Sequence, residues 1–139
     1  MKIVLDVNII ISALIKDSIT REILIKSAHE FYFPTDARKK LDKYQRVILN
    51  KSGLKINELE KVMEGIFSNI TLVTSDELHK HKKAAKKIMN HVDSEDTIFI
   101  ATALKIQNAS IWSDDKHFDM QKSIQTFKTI DLVKLYREK

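Results

Sequence analysis

No cysteine occurs among the 139 residues. Disulfides, zinc–thiolate sites and thiol nucleophiles are therefore excluded, and stability must come from a buried core. The absence fits a reducing, cytoplasmic setting. Glycine appears twice and proline once, which suits a rigid domain with short loops. No stretch approaches the roughly 18–20 uncharged apolar residues that a membrane span needs. Met1-Lys2 runs straight into an apolar segment that Asp6 interrupts, so no secretory leader is expected. An excess of acid is lacking too: 24 Lys and Arg outnumber 19 Asp and Glu, for a formal net charge of +5. A basic surface suits a polyanionic partner, and a merely solvated lysine-rich surface has the same composition. Apolar residues make up 43% and charged residues 31%, the balance of a folded, soluble chain. The length predicts one domain over residues 1–139.

The apolar pattern predicts strands alternating with helices. Strands are expected at Lys2–Leu5, Phe31–Phe33, Ile70–Val73, Ala109–Trp112 and near Phe127–Ile130. Helices are expected over Asn8–Ile15 and Ile19–Ser27. Another begins at Pro34, with Ala37, Leu41, Tyr44 and Ile48 at helical spacing. Asn57 with Glu60, and Thr74 with Glu77, read as capping boxes for two more, the second reaching about Asn90. Asp96 opens a helix, a short one is expected near Phe118–Lys122, and another ends the chain. Strand and helix in alternation imply a mostly parallel sheet covered on both faces.

Three aspartates stand at ends of these elements. Asp6 follows Ile3-Val4-Leu5. A carboxylate in such a setting must be paired, neutralised or ligated, or else it caps the next helix. Asn8 is placed to donate its amide to Asp6 or to hold a water, and it too would serve as a cap. Ala109–Trp112 runs into Ser113-Asp114-Asp115, a second strand end with carboxylates, where an Asx turn is the alternative. Asp96 shares a stripe with Phe99, Ile100 and Ala103, so its carboxylate faces inward. Asp93 would then be the N-cap and Asp96 the third helical residue, beside the helix dipole. Asp6, Asp96 and Asp115 aimed at one sheet edge form a cage suited to Mg²⁺ or Mn²⁺.

Leu5-Asp6-Val7-Asn8, Asp96 with Ile100-Ala101-Thr102-Ala103-Leu104, and Trp112-Ser113-Asp114-Asp115-Lys116-His117-Phe118 together resemble a PIN domain, the fold of VapC-type toxin ribonucleases. The resemblance covers essentially the whole chain. It implies a three-layer α/β/α, Rossmann-like domain with a mostly parallel sheet of about five strands. It also implies a metal-dependent endoribonuclease that leaves a 5′-phosphate and a 3′-hydroxyl. Asp6, Asp96 and Asp115 would be the catalytic, metal-binding residues. Asp115 fits the Ser-x-Asp pattern, and Asp114 would be a second ligand or a neighbour reached through water. Ser113 would orient a carboxylate or a water. RNA as substrate, a small antitoxin protein as partner and a cytoplasmic homodimer follow from the same resemblance, with no membrane involved.

One position departs from the family. Where a glutamate is usual, six residues after the proline, this chain has Lys40. An ammonium there would steady the acidic cluster without metal and repel a cation. Asp36, one turn earlier on the same face, is the substitute acid. A run free of acids from His79 to Val92 carries Lys80, Lys82, Lys83, Lys86 and Lys87. Its face, with Lys80, Lys83 and Lys87 foremost, would meet RNA phosphates or simply water. The competing function is a degenerate domain that binds RNA or a protein partner without cleaving, its pocket disabled by Lys40.

Overall fold

Ile3, Val4 and Leu5 are fully buried, as a central parallel strand covered on both faces requires. The computed structural model describes residues 1–89 and 95–138. Strand β1 (Lys2–Leu5) is followed by helices α1 (Val7–Ile15) and α2 (Ile19–Lys26) and by strand β2 (Glu30–Pro34). A single 3₁₀ turn leads to α3 (Arg38–Lys43), α4 (Gln45–Ser52) and α5 (Ile56–Phe67). Strand β3 (Ile70–Val73) precedes α6 (Ser75–Leu78), a 3₁₀ turn and α7 (Lys82–Met89). Then come α8 (Thr97–Lys105), β4 (Ala109–Trp112), a 3₁₀ segment (Lys116–Met120), β5 (Thr126–Phe127) and α9 (Thr129–Arg137).

The strands form one sheet in the order β3-β2-β1-β4-β5. Every pairing is parallel, with Ile3 beside Phe31 and Leu5 beside Trp112. Parallel neighbours cannot be joined by a tight turn, so each connection crosses over through helix or loop. The expected α/β architecture, with five parallel strands between helices, is what the chain adopts. Helix α8 is apolar on most sides because it is covered on most sides: it packs on β1, β2, β4 and α7. Phe99, Ile100, Ala101, Thr102 and Ala103 are buried there, and the Thr102 hydroxyl is satisfied by the Ile98 carbonyl at 2.8 Å.

Several boundaries differ from the expectation. Pro34 ends β2 rather than opening a helix, and it pairs with Val73 beyond the last β1 partner of that strand. A proline is tolerated there because no ladder bond needs its missing N–H. Helix α5 starts at Ile56, and Glu58, not Glu60, folds back to accept the Lys55 N–H at 2.9 Å. The Thr74–Glu77 box is formed: each side chain accepts the other's backbone N–H. The segment expected as a helix over Phe118–Lys122 is a 3₁₀ segment that starts and ends two residues earlier, Lys116–Met120. Strand β5 stops at Phe127, because Asp131 accepts the Lys128 N–H and starts α9 where a strand through Ile130 was expected.

Candidate active site

The sheet order itself makes a crevice. From β1 the chain winds outward through β2 and β3 on one side, and β4 and β5 lie on the other. The carboxyl ends of β1 and β4 therefore flank the point where winding reverses, the usual ligand position in open parallel sheets. Asp6 follows β1 and Ser113-Asp114-Asp115 follow β4. The Asp6 N–H still donates to the Trp112 carbonyl at 3.1 Å, so the ladder holds both strand ends together up to the aspartates.

Ser113 joins the two ends. It is fully buried; its Oγ donates to Asp6 Oδ2 at 2.7 Å and accepts the Asp115 N–H at 3.0 Å. Asp115 is partly exposed, and its Oδ1 accepts the His117 N–H at 2.9 Å. The Asx turn expected as the alternative for this segment is formed.

Asp96 reaches the same crevice from α8. It is buried and occupies the N-cap position, but its side chain makes no cap bond. It is not the third helical residue, since α8 begins at Thr97. Instead Asp96 Oδ2 lies 2.8 Å from Nδ1 of His117, which is also 3.5 Å from Asp115 Oδ1. What brings them together is apolar. Phe99, three residues after Asp96, meets Phe118, three after Asp115, edge-on with centroids 6.3 Å apart. Burying two such rings is worth roughly 4–7 kcal/mol. Two carboxylates 4–5 Å apart at a half-solvated edge repel by about 3–4 kcal/mol, so the rings hold the charges in place.

One donor atom each from Asp96, Asp115 and His117 lies within 4.8 Å of the others. Asp6 sits beside them, and its pKa is raised. Burial is the main cause; repulsion from Asp96 and Asp115 adds to it, while the Ser113 hydroxyl and the Asn8 backbone N–H oppose it. Two aspartate oxygens and an imidazole nitrogen at this spacing fit a divalent ion.

The other expected residues are placed as follows. Asn8 has an exposed side chain and serves Asp6 through its backbone N–H, not its amide. Asp114 is turned outward: Oδ1 accepts the Thr129 N–H at 2.8 Å and Oδ2 accepts the Thr129 hydroxyl at 2.6 Å. That hydroxyl also accepts from Trp112 Nε1 at 3.0 Å, and Trp112 is wholly core. Lys40 pairs with the neighbour of Asp96: its Nζ lies 2.6 Å from Glu95 Oε2. Exposed Asp36 lines a groove of about 230 Å³ with Lys40, Glu95, Ile98 and Phe99, a groove to which Asp6, Asp96 and Asp115 do not contribute. Lys80, Lys83 and Lys87 are exposed. Asp93, like His91 and Val92, lies outside the described residues.

Two participants had no role assigned from sequence. His117 lies within the family-like segment Trp112–Phe118, and the available signal is its position two residues past a strand-end aspartate. Glu95 offered only its adjacency to Asp96. No helix among the described residues is long and apolar enough to cross a membrane.

Comparison with curated proteins gives no match. A family model described as PIN domain matches residues 4–135. That span runs from within β1 into α9 and contains both strand ends and the start of α8, so the chain belongs to the PIN-domain family.

Proposed function

We propose that this PIN domain is a divalent-metal-dependent endoribonuclease whose catalytic residues are Asp6, Asp96 and Asp115. PIN domains are typically nucleases, bind RNA and use divalent ions. The observation that carries the reading is the convergence of Asp96 and Asp115 oxygens within 4.8 Å, with buried Asp6 coupled to both. Nothing in a core calls for three acids on one crevice; their mutual repulsion is a cost that a bound cation removes.

Asp6, Asp96 and Asp115 would hold Mg²⁺ or Mn²⁺. When bound, the ion supplies Lewis acidity, making a water more acidic and offsetting charge on the phosphate oxygens of an RNA backbone. Ser113 keeps the Asp6 carboxylate turned toward Asp115. Asp114 stands apart from the ligand set, because both its oxygens already accept from Thr129. The exposed Lys80, Lys83 and Lys87 give a basic approach for the strand being cut. The family match supports reading residues 1–139 as one domain. A toxin role extends the same reading, with a small antitoxin protein as partner and a homodimer in the cytoplasm.

The test is cleavage of a structured RNA by wild type and Asp115→Asn, with Mn²⁺, with Mg²⁺ and with chelator. Metal-dependent products ending in 5′-phosphate, abolished in Asp115→Asn, are expected. RNA left intact by wild type in all three conditions overturns the proposal.

A second reading rests on the Lys40–Glu95 pair. A lysine in place of the usual acid leaves the cluster one carboxylate short. A domain so changed binds RNA or a protein partner without cutting it.

A further inference from the structure

We propose that His117 is itself a ligand of this metal centre, through Nδ1, and that it biases the site from Mg²⁺ toward Mn²⁺ and later first-row ions. The inference rests on the reading of Asp96 and Asp115 as metal ligands. Its ground is spacing. Donor atoms at neighbouring corners of an octahedral ion, each about 2.1 Å from it, stand about 3 Å apart. His117 Nδ1 is 2.8 Å from Asp96 Oδ2 and 3.5 Å from Asp115 Oδ1. In the metal-free protein Nδ1 and Asp96 Oδ2 share a hydrogen bond; an ion would take the place of the shared proton at a spacing that two ligands of one ion also have.

The backbone that carries the ring is held independently of Asp96. The His117 backbone N–H is fixed by Asp115 Oδ1, and the next residue, Phe118, is fully buried against Phe99. A side chain whose backbone is already fixed needs less further ordering to ligate, which favours binding. With an ion bound, the neutral ring with its proton on Nε2 would offer the Nδ1 lone pair to it, where the metal-free ring offers Nδ1–H to Asp96. Oxygen-only cages suit Mg²⁺, whereas an imidazole nitrogen is favoured by transition-metal ions, increasingly so along the first row. Three aspartates alone would leave a site indifferent to that difference.

The experiment is pulsed electron paramagnetic resonance on the protein loaded with Mn²⁺. Calorimetric titration of Mn²⁺ and Mg²⁺ into wild type, His117→Gln and Asp115→Asn accompanies it. Modulation from a directly bound nitrogen is expected in wild type. It should change isotope character when histidine is supplied as ¹⁵N-histidine, and vanish in His117→Gln. The same variant should lose roughly tenfold or more in Mn²⁺ affinity and distinctly less in Mg²⁺ affinity. Wild type that binds Mn²⁺ in an Asp115-dependent way without nitrogen modulation overturns the role of His117 and leaves the nuclease reading standing. Modulation that persists in His117→Gln also overturns it, by assigning the nitrogen elsewhere. Wild type that binds no Mn²⁺, or binds it equally well as Asp115→Asn, overturns both. Should His117→Gln fold poorly, His117→Asn serves in its place, and a wild-type spectrum without nitrogen modulation overturns the role of His117 in either case.

Discussion

Ser113 Oγ donates to Asp6 Oδ2 at 2.7 Å across 107 residues of sequence. Both groups are buried, and the same hydroxyl accepts the Asp115 N–H. Ser113→Ala leaves a buried carboxylate without its side-chain donor. Thermal denaturation should show a loss of about 1–3 kcal/mol, and metal-dependent cleavage should fall roughly 10–100-fold. An unchanged cleavage rate would show that the bond only braces the strand ends.

Asp6 carries its stability effect in the acid direction. Its folded pKa lies above the ordinary 3.8, chiefly through burial. Its contribution is therefore fully present below the unfolded pKa and is lost as pH rises through the raised folded value. At neutral pH, metal-free Asp6→Asn should be more stable than wild type by roughly 0.5–2 kcal/mol, with the difference vanishing toward pH 3. Mn²⁺ should raise the melting temperature of wild type and not of Asp6→Asn. A variant less stable than wild type at neutral pH would contradict this.

Lys40→Glu removes the ion pair with Glu95 and adds an acid beside the crevice. Without metal the variant should lose about 0.5–1 kcal/mol, the scale of a partly exposed pair turned repulsive. If the domain cuts RNA, Mn²⁺ binding should tighten and cleavage should rise. If it only binds, neither protein cuts. Strong wild-type cleavage abolished by Lys40→Glu would assign Lys40 to the phosphate instead.

Lys83 and Lys87 are exposed on α7. Lys83→Glu with Lys87→Glu should weaken RNA binding and lower the slope of log affinity against log salt by about 1–2. Filter-binding curves that match wild type would give this face to solvent.

Asp114 serves the fold through Thr129. Asp114→Ala removes two bonds at the start of α9, at a cost of about 1–2 kcal/mol by denaturant titration. Its Mn²⁺ affinity should equal that of wild type, in contrast to Asp115→Asn. A fall in affinity comparable to that variant would place Asp114 in the metal site.

The parallel core was legible because buried strands announce themselves as apolar runs, and Asp6 because it breaks one. The start of α8 was nearly so, since Phe99, Ile100 and Ala103 fix the face on which Asp96 lies. Periodicity orients a side chain about its own element and carries no information on what meets it from another. Hence the opposite outward use of Asp114, the return of His117 to Asp96 and the Glu95 partner of Lys40 could not be read. Pro34 misled for a related reason: proline suits both a helix start and a strand end, and only the position of β1 decides between them.

The order of strands in the sheet also sets a clock. β1 is made first, but the neighbour that completes the edge carrying Asp6 is β4, more than a hundred residues later. At ribosomal speeds of about 5–20 residues per second, the interval is roughly 5–20 s. Throughout it the chain carries Asp6 with neither Ser113 nor Asp115 to face it. On the proposed reading, any fragment released before residue 115 would lack Asp115 and so be inert, and loss of the C-terminal quarter would disarm the protein rather than unleash it.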